Sequence, residues 1–214
     1  MTNFTVDMRS DMSPIRDQKR RPTCLAFAAS DAHATAHSKP MSDFSVEYAH
    51  YSACKRMTAF DPHSAATVSA MLSAIRFDGQ PQEAEWPYIE TLPSDLSAYK
   101  PPANITGIIN HPSEEVATFD LADEALRAGM PVLMAISLSR SFYEVTGDSI
   151  LPADADFRVM GYHAILGVGI FSSSAGEGYL IRNSWGARWG LGGYGLITRA
   201  YLEPRKIFLG VFRA

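Results

Sequence analysis

Apolar positions in the first hundred residues recur at helical spacing. Leu25, Ala26, Phe27, Ala28 and Ala29 open a run that predicts a helix from Cys24 toward Lys39-Pro40, because the residue before a proline is pushed out of the α region. Thr23 stands at the N-cap position, which makes Cys24 the first helical residue. Ser45 to Met57 predicts a second helix, and Ala65 to Phe77 a third that stops at Asp78-Gly79. Between Gly79 and Pro102 prolines punctuate an extended or looping stretch. The texture then changes. Ile105–Ile109, Val132–Ser137, His163–Ile170, Gly178–Asn183 and Gly193–Thr198 predict strands bounded by Gly, Pro or Asn. A single helix, Leu121–Ala128, interrupts them, with Gly129 as its C-cap and Pro131 beyond. The pattern is α+β: a helical lobe over about residues 10–105 and a β-rich lobe over about 106–205, read as one domain spanning 1–214. A site built by such a chain belongs in the crevice between the lobes.

Composition narrows this only slightly. With 214 residues, 46% hydrophobic and 20% charged, the chain matches ordinary globular proteins and excludes disordered or collagen-like classes. Its two cysteines, Cys24 and Cys54, exclude a disulfide scaffold. A net charge of −4 argues against a nucleic-acid surface or a polybasic membrane surface, so neither partner is expected. No basic segment followed by an apolar core opens the sequence, and the longest strongly apolar run, Ala164–Phe171, is too short to span a bilayer. A cytoplasmic location is the expectation.

Candidate chemistry lies in four short segments. Cys24 at a helix N-terminus faces the positive end of the macrodipole, and Lys19, Arg20 and Arg21 precede it; both features favour a thiolate, the nucleophilic form. A buried structural thiol is the other reading of this segment alone. His163 opens the apolar strand after Gly161-Tyr162, where a satisfied core histidine is the simpler role. Asn183-Ser184-Trp185-Gly186 follows a strand and precedes Trp189-Gly190 and Gly193-Tyr194-Gly195. Trp86-Pro87-Tyr88 is an aromatic loop.

Together these segments resemble the papain-like cysteine peptidases over nearly the whole chain. Cysteine, histidine 139 residues on and asparagine 20 further is the triad order of that family. Asp17-Gln18 with Cys24 six positions after the glutamine, Phe44 to Tyr48, Glu85 to Tyr88, Ala128 to Val132, Gly161 to Ala164 and Asn183 to Gly186 follow in family order. The resemblance implies a two-lobe papain-like fold with a β-barrel-like second lobe and the active site in the cleft. It implies Cys24 as nucleophile, His163 as general base and then acid, and Asn183 as the group fixing the imidazole. It further implies Trp185 as a shield over the histidine–asparagine bond, and an oxyanion hole from the Gln18 side chain and the Cys24 backbone N–H. Hydrolysis of peptide or protein substrates through an acyl-enzyme is the implied activity, with no cofactor and no metal.

The pattern also departs from the family. Arg21, Pro22 and Thr23 stand where a Gly-Ser pair with a disulfide cysteine is usual, and Leu25 where Trp is usual. No glycine pair is evident in Phe60 to Ala66. The substrate cleft is expected to involve Gly161, Tyr162, Ala135, His63 and Ser64, with Tyr162 narrowing a side-chain pocket. Family-like sequence begins within the first ten residues, so a compact prokaryotic-type member without a propeptide is expected, restrained by narrow specificity or a regulatory protein partner. Lys19-Arg20-Arg21 reads as a solvated loop or as a binder of an acidic side chain or terminal carboxylate. His33 and His37 lie four apart on the first helix, but no third metal ligand is identifiable. Two other readings stay open: a catalytically silent peptide-binding or regulatory module, and an acyl-transferring ligase or deamidase.

Overall fold

The computed structural model describes residues 2–153 and 158–214. Three helices, α1 (Cys24–His37), α2 (Val46–Lys55) and α3 (Val68–Phe77), form one side of the molecule. Two of them are capped as their sequences dictate. The Ser45 hydroxyl accepts from the Tyr48 N–H at 3.0 Å, and the Thr67 hydroxyl accepts from the Ala70 N–H at 3.2 Å. Thr23 does not cap α1 with its side chain; its hydroxyl bonds the Tyr88 hydroxyl at 2.9 Å instead. Gly79 ends α3 at φ +70°, where a Cβ would lie 2.6 Å from the Ile109 carbonyl oxygen.

The other side is an eight-stranded sheet: β1 (Asn3–Asp7), β2 (Ser113–Glu115), β3 (Val132–Leu138), β4 (Ile150–Leu151), β5 (Gly161–Ser173), β6 (Gly176–Arg182), β7 (Tyr194–Thr198) and β8 (Lys206–Phe212). The order is β2-β8-β3-β5-β6-β7-β4, with β1 also paired to β5. The long strand β5 pairs β3 through its first half and β1 through its second, while β6 takes its other edge. Helices α4 (Phe119–Arg127), α5 (Arg140–Tyr143) and α6 (Arg199–Leu202) complete the fold.

Three expectations need correction. The sheet is open, ending at β2 and β4, which do not pair with each other, so the lobe is not barrel-like. Ile105–Ile109 forms no strand: among the described residues its sole pairing is an isolated bridge between Ile109 and Gln80, because Gly107 at φ +62° turns the chain. Strands β1, β2, β4 and β8 were not anticipated, and β1 and β8 carry both chain ends into the sheet.

A buried ionic junction joins the two sides. Asp31 of α1 accepts from Arg16 through one carboxylate oxygen and from Arg182 of β6, at 2.7 Å, through the other. Arg182 also donates to the carbonyls of Ser13 at 2.7 Å and Pro14 at 3.0 Å. The Arg182 guanidinium is thus matched by acceptors, as a buried charge requires, while among the described residues the Arg16 Nε has no hydrogen-bond partner and stands 3.7 Å from Asp43.

Candidate active site

Cys24 is the first residue of α1, and its half-buried thiol meets the backbone of Ala164 on β5. His163 is the residue before Ala164, is buried, and lines the same recess as Cys24. Its Nε2 is 2.7 Å from the Asn183 Oδ1, just beyond β6. Oδ1 also accepts the Ser184 N–H at 2.8 Å. With the amide oxygen turned to the ring, Nε2 carries the hydrogen and Nδ1 is left as the basic nitrogen.

Aromatic rings close over this bond. Trp185 lies 4.6 Å from the His163 ring, centroid to centroid. Phe142 meets Trp185 edge-on at 5.6 Å, and Tyr143 stacks on Trp185 at 5.3 Å. Phe142 and Tyr143 went unnoticed in the sequence, because α5 has no motif and its role depends on a contact more than forty residues away in the chain.

Gln18 is fixed on every side. Its backbone N–H donates to the Ser184 carbonyl at 2.8 Å, and its Oε1 accepts from the Ser184 hydroxyl at 2.7 Å. Nε2 donates one hydrogen to the Arg21 carbonyl at 2.8 Å, which leaves its second hydrogen free. Tyr88 donates to the Gln18 carbonyl at 2.8 Å while meeting Thr23. The aromatic loop noted in the sequence is thus a brace between Gln18 and the start of α1.

Arg21 reveals what replaces the expected glycine and disulfide. Its guanidinium makes a two-pronged pair with Glu47 of α2, at 2.7 and 2.9 Å, and donates to the Ile89 carbonyl at 2.5 Å. The Tyr99 hydroxyl donates to the same carboxylate. Arg21 is 7% exposed and Glu47 fully buried. The expectation that Lys19, Arg20 and Arg21 jointly lower the thiol pKa therefore fails for Arg21, whose charge is neutralised by Glu47. Lys19 pairs with Asp17 at 3.2 Å. Burial pushes the Cys24 thiol up, with backbone hydrogen bonds at Ala164, Leu25 and Cys24 opposing it. Burial likewise pushes His163 down to about 4, opposed by its bond to Asn183.

Beside the thiol lies an apolar recess of about 370 Å³ formed by Cys24, Leu25, Ala65–Val68, Ala135, Ile136, Tyr162–Ala164 and Ile207. Tyr162 and Ala135 were foreseen here. Tyr162 is 75% exposed, so it stands at the rim and does not fill the recess. His63 belongs instead to a separate polar trough. Ser64 lines neither, being turned to hydrogen-bond Asp61, and Gly161 lies at the start of β5 against the Tyr143 hydroxyl. Leu25, Val68 and Ile207 were missed. Ile207 sits on β8, a strand not recognised in the sequence.

Elsewhere, His33 is buried and bonds Gln80 at 2.8 Å, while His37 is exposed. Among the described residues no three His, Cys, Asp or Glu side chains are grouped to hold a metal. Cys54 is buried beside His50, and its thiol is pushed up to about 11 by burial. Among the described residues no helix is long and apolar enough to cross a membrane.

The family model described as papain family cysteine protease matches residues 2–206. The chain belongs to the papain family of cysteine proteases. Similar family members include cysteine proteinase 3 of Entamoeba histolytica, 25% identical over 91% of this chain and 62% of that protein. Peptidase 1 of Dermatophagoides farinae is 26% identical over 89% of this chain and 59% of its own length. The chain thus spans about three fifths of these curated relatives. In fold it is similar to xylellain, a cysteine protease from Xylella fastidiosa, with a TM-score of 0.78 and 22% identity over 98% of this chain and 85% of that one.

Proposed function

We infer that this chain hydrolyses peptide bonds with Cys24, His163 and Asn183 as its catalytic triad. The observation that carries the reading is the buried 2.7 Å bond from His163 to Asn183, set against a thiol at the first residue of α1. Nδ1 of His163 takes the thiol proton as Sγ attacks the carbonyl carbon. The free hydrogen of Gln18 Nε2 and the Cys24 N–H stabilise the resulting oxyanion. His163 then protonates the departing amine, and water attacks the thioester to release the acid and regenerate the thiol. Asn183, being neutral, holds ring plane and tautomer without adding charge. Trp185, Phe142 and Tyr143 keep water from the orienting bond. The substrate is a peptide with an apolar side chain for the recess beside Cys24.

The test is cleavage of a proteome-derived peptide library. Wild type should cut and Cys24→Ala should not. Removing Gln18's donor as Gln18→Ala should lower kcat by about 10²–10³. A wild-type chain that binds peptides but leaves the library intact would replace this reading with that of a silent peptide-binding module.

A further inference from the structure

Separate from the apolar recess is a polar trough of about 750 Å³ lined by the 17–22 loop, His63, Glu90–Leu92 and Arg188. Its charges are not evenly answered. Arg21 is neutralised by Glu47 at its back. Lys19 takes both nearby acids: Asp17 at 3.2 Å and, more loosely, Glu90 at 4.0 Å. Asp17 also accepts the Lys19 backbone N–H at 2.8 Å, which holds that residue at φ 54°. This leaves Arg20 and Arg188. Both are exposed, and among the described residues neither has an ion-pair partner. They come from different loops, Arg20 from the approach to α1 and Arg188 from the glycine-rich segment after β6.

We propose that this trough is a carboxylate subsite, in which Arg20 and Arg188 select peptides bearing an acidic group next to the bond held at Cys24. The proposal deepens the peptidase reading and rests on it for the position of that bond. Guanidinium groups suit the task because they stay charged and present paired donors to a carboxylate. The trough takes in Asp17, the neighbour of Gln18 in the chain, and Pro22, two residues before Cys24, so its ligand adjoins the reacting carbonyl. The cleft is then two-sided: apolar beside His163, cationic beside Gln18. An Asp or Glu side chain and a free C-terminal carboxylate share the required chemistry. Glu90, 64% exposed on the same wall, moderates the field.

The test uses binding, so it is separate from turnover. Fluorescein-labelled peptides differing only by Glu, Gln or Lys at each position, as C-terminal acids and amides, are titrated against the Cys24→Ala chain by anisotropy. The expected result is Glu over Gln by about five- to tenfold at one position at low ionic strength, shrinking in 0.5 M salt (about a 4 Å screening length). Preference confined to C-terminal acids would assign the site to a terminal carboxylate; preference retained in amides assigns it to a side chain. Arg20→Glu with Arg188→Glu should invert the order to Lys over Glu, and Glu90→Gln should widen it. Equal binding of Glu, Gln and Lys peptides, a preference insensitive to salt, or no peptide binding overturns the proposal. The salt series needs no variant at the trough, so it decides even if the double reversal fails to fold.

Discussion

The two walls of the cleft are held by opposite means. On the helical wall, the residues that place Cys24 and Gln18 are tied by buried charge, Arg21 to Glu47, while Asp31 between Arg16 and Arg182 ties that wall to the sheet. On the sheet wall, His163 and Asn183 are tied by apolar packing and rings, with Phe142, Trp185 and Trp189 in mutual contact. The difference follows from what each wall needs. The helical wall is a loop whose backbone must be held open to a substrate, and directional ionic bonds fix a loop better than diffuse packing. The sheet wall already has a ladder, so rings need only exclude water. Charge is costly to bury, however, and the first wall holds only while every partner is present.

Breaking one member of each wall should cost the same amount for different reasons. Phe142→Ala should lose about 3–5 kcal/mol in urea unfolding, because it leaves a cavity among the rings. Glu47→Ala should lose about 3–5 kcal/mol, because it leaves Arg21 buried and unpaired. The comparison sharpens on repair. Replacing both ionic partners, as Arg21→Met with Glu47→Leu, should restore part of that stability, the Tyr99 hydroxyl and the Ile89 N–H being left without their acceptor. It should still lower kcat, since the Arg21 carbonyl that holds Gln18 Nε2 loses its anchor. If the double variant stays as unstable as Glu47→Ala, the ionic account of that wall is wrong.

Acid should weaken both walls over one pH window. His163 on the sheet wall and His33 on the helical wall are each held neutral by burial, with pKa values of about 4 against an ordinary 6.5. Between those values the unfolded chain binds more protons than the folded one, so stability is full above pH 6.5 and falls as pH drops toward 4. The loss is up to about 3 kcal/mol per histidine. Urea unfolding from pH 7 to 4 checks this, and His33→Asn should make the slope shallower without abolishing it, since His50 and His111 are also held down by burial. A flat profile would show that these imidazoles charge freely in the folded state.

A smaller effect probes the third helix, which supplies Val68 to the recess. Thr67→Ala removes the hydroxyl capping α3 and should cost about 1 kcal/mol by thermal unfolding. It should leave His163–Asn183 untouched, because α3 contacts neither residue's strand through that cap.

Legibility in the sequence follows the range of the interactions. The helices α1 to α4 and strands β3, β5, β6 and β7 came from local periodicity and from breakers such as Asp78-Gly79 and Gly129. The proposed triad positions came from motifs that are local too. Strands β1 and β8 escaped notice because they are defined by partners far away in the chain: Asn3 faces Ser172, and Gly210 faces Leu133. The Lys206–Phe212 segment did carry a signal, an apolar run of β-prone residues, and reading it would have supplied Ile207 to the recess. Arg21 was misread for the same reason. From the sequence it is one of three adjacent cations, and only the fold brings Glu47 and Tyr99 to it.

The central claim is that Cys24 is a nucleophile prepared by His163 and that Cys54 is not. Intact-mass spectrometry after exposure to an epoxysuccinyl peptide tests it directly. One adduct should form, located at Cys24 by peptide mapping, absent in Cys24→Ala and much slower to form in His163→Ala. Modification of Cys54 at a comparable rate, or an adduct rate at Cys24 unchanged by His163→Ala, would contradict it.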